Sequence, residues 1–172
     1  MIGPWKLCLA AAAWAVGAAA SGCGQGSEDP PAGASDLVLK SAAEDSAAFE
    51  AELLGLVNEH RVSMGLNALT ASATLTAVAR DHSVDMIAQT YFAHQSPEGL
   101  TAGGRLSGAG VTWTSVGENL AEGLSTPRAV FEAWLMSPPH RENLERGDWT
   151  TAGVGVAVGE AGRVVTQLFL RP

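Results

Sequence analysis

The stretch "AGVGVAVGEAGRVVTQLFL", Ala152 to Leu170, alternates in residue character, pauses between Gly159 and Gly162, and resumes. A period of two interrupted by a Gly-rich pause predicts two β-strands joined by a tight turn. Upstream, "VTWTSVGENLA" places Val111, Trp113 and Ser115 in alternation and predicts one more strand. Before these strands the periodicity changes to that of helices. A first helix is expected from about Asp45 to Met64, with Phe49, Leu53, Leu56, Val57, His60 and Met64 on one face and Gly65 just past its end. A second is expected from Ser72 to Thr90, striped by Leu75, Val78, Ala79, His82 and Met86. A third begins at "STPRAVFEAW", where Ser125 or Thr126 caps, Pro127 fills the first turn, and Val130, Ala133 and Trp134 face inward. Helices early, strands late and no βαβ rhythm give an α+β fold, with helices layered on a largely antiparallel sheet.

At 172 residues the chain holds one domain and some additions. Lys6 precedes the apolar run "LCLAAAAWAVGAAA", Leu7 to Ala20, which is shorter than the roughly 20 residues of a membrane span and is followed by small residues. That is the pattern of a secretory signal over 1–22. The run closes on "ASGC", Ala20 to Cys23, which resembles the lipobox of bacterial lipoproteins. The resemblance implies cleavage before Cys23 and a diacylglycerol on its sulfur, hence a membrane-anchored, exported protein of the cell envelope or the extracellular side. Residues 23–45, rich in Gly, Pro, Ser and acid, are expected to be a flexible tether. The folded part would then be 46–172.

The only cysteines are Cys8 and Cys23, so the folded part has neither a disulfide framework nor a thiol nucleophile. Seven acids against Lys40 fall between Gly24 and Glu52, and this acidity is assigned to the tail. From Leu53 onward there are eleven acids and eight arginines, a net of −3. No basic patch points to nucleic acid.

The segment "WLMSPPHRENL", Trp134 to Leu144, joins an apolar helix to two prolines and then His140. Proline cannot continue a helix, so the helix is expected to stop near Ser137 with His140 just beyond it. Three other stretches stand out: "NEHRVSMGLNAL" (Asn58–Leu69), "YFAHQSPEG" (Tyr91–Gly99) and "VGENLAEG" (Val116–Gly123). In this order, and followed by "GVGVAV", they resemble the CAP superfamily of cysteine-rich secretory proteins, antigen 5 and plant pathogenesis-related proteins, in its bacterial SCP-like branch. The resemblance spans about Phe49 to Leu170 and implies a three-layer α-β-α sandwich. It also implies a cleft that holds two His and two Glu in animal and plant members. By motif these fall on His94, Glu118, His140 and Ser137, so one carboxylate is missing and chemistry needing paired carboxylates is in doubt.

The residues alone support a similar picture, since three element ends each offer a titratable group, as cleft sites do. Two imidazoles, His94 and His140, with Glu118 could hold a divalent metal such as Zn²⁺ or only form hydrogen bonds. The expected function is ligand binding: a small molecule, a lipid or an envelope component. The alternative is a metal-dependent hydrolase of peptides or cell-wall material, with Glu118 as base. His82 and His60 read as packed core histidines. Ser83 and Ser137 lack a nucleophile elbow. Trp113, Trp134 and Trp149 read as core, with Trp113 a candidate for the cleft wall. Asn119, Arg141 and Asn143 read as groups that fix loop backbone, and the Gly-rich "TAGGRLSGAG" as a loop facing the cleft. Gly117 is expected to allow a close backbone approach beside Glu118.

Overall fold

The computed structural model describes residues 32–172, with side chains from Glu44 onward. The signal and Cys23 lie outside the described residues. The elements in chain order are α1 (Ala32–Ser63), β1 (Thr70–Ala71), α2 (Ala73–Ala88), α3 (Ala102–Gly108), β2 (Ser115–Glu122), α4 (Pro127–Met136), α5 (Pro138–Glu145), β3 (Thr151–Gly159) and β4 (Gly162–Arg171). The sheet order is β1-β3-β4-β2. Only the two-residue β1 runs parallel to its neighbour, and β3 and β4 form the expected hairpin, closing at Gly159 opposite Gly162.

Alternate side chains of the sheet feed two cores. Val165 and Phe169 of β4, with Ala152, Val154 and Val156 of β3, pack against Phe49, Leu53 and Val57 of α1 and Val130, Phe131 and Trp134 of α4. Leu168 and Leu170 turn to the other face and meet Leu75, Val78 and Ala79 of α2 and Leu106 of α3. Both faces are therefore covered, and the fold is an α-β-α sandwich. On the α2 face β3 presents glycine. A Cβ at Gly155 would lie 2.0 Å from the backbone N of Arg80, and one at Gly153 2.4 Å from that of Thr76. The "GVGV" run thus lets a whole helix rest its backbone on the strand. Ser83, in the same contact, bonds the Gly155 carbonyl and the Thr166 hydroxyl, a structural role.

The helical expectations hold for α2, capped by Ser72, and for α4, capped by Thr126 with Pro127 in its first turn. Gly65 ends α1 with φ of +76°. Four expectations need correction. α1 starts at Ala32 rather than near Asp45, and Met64 is exposed. Glu50, counted with the tail's acids, is buried: it receives Arg80 through both carboxylate oxygens and also the N–H of Val156. Only from Ser115 does the "VTWTSVGENLA" segment become strand, and Trp113 is exposed on the preceding loop. Finally, the prolines that stop α4 also start α5, because a ring at the first helical positions costs no hydrogen bond. His140 therefore rides on a short helix instead of a loop.

Strand β2 forms one margin of the sheet. Its outward carbonyls at Glu118 and Leu120 do not point into open solvent. Asn143 Nδ2 donates to the first at 3.1 Å, and Trp134 Nε1 donates to the second at 2.9 Å.

Candidate functional site

Where β2 meets the two helical layers, Glu118 meets His94 directly, and α5 brings the His140 backbone against the neighbouring Asn119. Glu118 projects from β2 on the α3 side with its side chain 5 % exposed. Its Oε1 accepts Nδ1–H of His94 at 2.8 Å, and its Oε2 accepts Arg105 Nη2 at 2.5 Å. Both carboxylate oxygens are therefore engaged. From the opposite layer, α5 is tied to β2 by Asn119, which donates to the His140 carbonyl at 3.1 Å, and by Asn143, which bonds both Asn119 Oδ1 and the Glu118 carbonyl. His140 lies close enough to His94 to sense its charge. Gly117 permits this closeness: a Cβ there would sit 2.8 Å from the Trp149 ring and 3.0 Å from Asn143 Oδ1.

The electrostatics separate the two imidazoles. The Glu118 hydrogen bond raises the His94 pKa above its ordinary value, against burial and the charge of Arg105. Burial lowers the pKa of His140, and the neighbouring His94 charge adds to that effect. The two imidazoles are thus shifted in opposite directions, His94 toward its charged form and His140 toward its neutral one. With Nδ1 held by the carboxylate, Nε2 of His94 is the ring nitrogen left for a ligand, and the His94 side chain is 62 % exposed.

Arg105 was the group missed in the sequence. It belongs to "TAGGRLSGAG", which is helix α3, capped by Thr101, and not a loop. Its Nη1 also donates to the carbonyls of His94 and Leu100 at 3.3 and 3.1 Å. A lone arginine among glycines carried no spacing signal.

His82 is 1 % exposed, as a core histidine should be. His60 is half-buried, 3.0 Å from Glu145 and edge-on to Phe131, away from the cleft groups. Trp134 and Trp149 are core, whereas exposed Trp113 leans on Gly103 and bonds Ser107. Arg141 holds the Leu135 carbonyl, so it serves the backbone as Asn119 and Asn143 do. Among the described residues no three His, Cys, Asp or Glu side chains are grouped to share a metal ion. The carboxylate that meets His94, that of Glu118, is already shared with Arg105.

The α-β-α sandwich defines a class of protein, and the comparisons agree with that fold. The Cysteine-rich secretory protein family, CAP, matches residues 54–169, and the chain belongs to that family. It is 36 % identical over 130 residues to the uncharacterized protein YkwD of Bacillus subtilis (strain 168), covering 76 % of this chain and 50 % of that one. The chain thus spans about half the length of that curated relative. Among solved structures, an extracellular protein containing an SCP domain from Bacillus anthracis superposes with a TM-score of 0.67 at 34 % identity, over 74 % of this chain and 41 % of that one. An outer surface protein of Borrelia burgdorferi gives a TM-score of 0.65 at 26 % identity, over 69 % of this chain and 89 % of that one. The family name notwithstanding, this member has no cysteine after Cys23.

Proposed function

We propose that the protein is exported, anchored to a membrane by lipid on Cys23, and uses the His94–Glu118–His140 cleft to bind a small molecule, a lipid or an envelope component. One observation carries the preference for binding over hydrolysis: both oxygens of Glu118 are spent on His94 and Arg105. A carboxylate paired with a guanidinium is a weak candidate for general base, and the second carboxylate position is Ser137. What remains is an exposed His94 and a half-buried His140, whose pKa values are shifted in opposite directions. The extracellular and outer-surface relatives support export. No helix among the described residues is long and apolar enough to cross a membrane. The proposed anchor is supported by the "ASGC" motif.

Two measurements test the reading. Mass spectrometry of the membrane fraction should find acyl mass on Cys23, and Cys23→Ser should release or leave unprocessed the chain; unchanged partitioning without acyl mass ends the anchor. For the cleft, ring resonances of His94 and His140 are followed against muropeptides, fatty-acid micelles, phospholipid vesicles and Zn²⁺. A saturable shift abolished by His94→Ala with His140→Ala supports binding. Turnover of any of these that disappears in Glu118→Gln would establish the hydrolase instead.

A further inference from the structure

We propose that His82 is a positioning residue of the cleft, its buried ring holding the Ala93 carbonyl so that the next residue, His94, meets Glu118. Nothing packs His94 into place: Ala93, His94 and Gln95 are all exposed. Its orientation must come from hydrogen bonds to the segment that carries it. Two consecutive carbonyls of that segment are held from two helices. His82 Nε2–H on α2 donates to Ala93 O at 3.1 Å, and Arg105 on α3 donates to His94 O at 3.3 Å. Arg105 then reaches Glu118, so one arm fixes the carboxylate and the other fixes the imidazole facing it.

The segment is bent back over α2 at a cost. Thr90 has φ of +56°, a left-handed conformation that a β-branched residue adopts under strain. The turn returns Tyr91 to α2, where its N–H meets the Met86 carbonyl and its hydroxyl donates to Asp85 Oδ2 at 2.5 Å. The same hydroxyl lies 3.4 Å from His82 Nδ1, and its proton is committed to Asp85. Because the Ala93 carbonyl can only accept, Nε2 carries a proton, and in the neutral ring Nδ1 is unprotonated and makes no hydrogen bond with the Tyr91 oxygen. Burial, with the Arg105 charge, favours this neutral ring over the pull of Glu118, Ala93 O and Asp85. A ligand role is closed to it, because the ring is nearly inaccessible.

The inference rests on the cleft reading only in treating His94 as a site residue. Its readout is taken without ligand, so its failure and that of the binding reading are distinguishable. The variants are His82→Gln and His82→Met, similar in length and volume, of which only the first can donate to Ala93 O. The signal is the Nδ1 proton of His94 and its exchange with water. His82→Gln should keep it, and His82→Met should exchange roughly fivefold faster or more, as expected for loss of about one net hydrogen bond. A His82→Met signal like the native one, or His82→Gln behaving as His82→Met, overturns the proposal. In the unmodified protein, His82 must show the Nε2–H tautomer. An Nδ1–H tautomer overturns the proposal even if neither variant folds.

Discussion

Three histidines in this chain are drawn toward different charge states, and each leaves a mark on stability. The folded pKa of His94 is raised above the ordinary 6.5, so its pairing with Glu118 contributes fully below that value and is lost as pH rises through the folded pKa. His82 and His140 are lowered, so they cost stability as pH falls from 6.5 through their folded values. NMR titration should place the His94 midpoint above 6.5 and the other two below it, and His94→Gln should remove the decline on the alkaline side; a His94 midpoint at or under 6.5 would refute the assignment. Removing the exposed imidazole of His94 or the half-buried one of His140 should be mild: His94→Ala and His140→Ala should each change unfolding free energy by no more than about 1 kcal/mol. Arg105→Ala leaves a buried carboxylate short of its cation and should cost about 3 kcal/mol. Denaturant melts of the three variants separate these cases. Gln167 is wholly buried, yet both its amide atoms lack a protein partner. Gln167→Met should therefore stabilise by about 1 kcal/mol, and a loss instead would reveal a bound water.

At the scale of elements, the contact of α2 with β3 is set by glycine. Gly155→Ala drives a Cβ into the backbone of Arg80 and should cost about 3 kcal/mol or prevent folding. Gly55→Ala, in α1 with nothing near its Cβ, should instead stabilise by about 0.5–1 kcal/mol. Opposite signs in equilibrium unfolding check the pair. The elements that could be read from the chain were those with local periodicity: the α2 stripe, the capped start of α4 and the β3–β4 hairpin. Those that could not owe their form to distant partners. Two prolines read as a stop are equally a start, and only packing onto β2 shows that α5 follows. Glu50 looks like one more acid of the tail until Val156, 106 residues away, donates to it. Of the candidate site, the His94–Glu118 pair was legible because motif carried both residues, whereas Arg105 became visible only through the contacts of α3.

For the molecule as a whole, the first buried side chain of α1 among the described residues is Phe49, and no sulfur links any part of the domain. A chain beginning at Glu44 should unfold at the same midpoint as the longer form, with or without dithiothreitol. A clear drop would mean that residues before Glu44 pack on the body. Nor is the β2 margin a passive boundary. An unoccupied strand margin invites a neighbour's strand to join it, the first step toward aggregation. Here Asn143 and Trp134 already occupy the carbonyls that such a strand would need. Asn143 also braces the backbone of Glu118, so a substitution at this single position would uncover the strand margin and loosen the Glu118 carboxylate together.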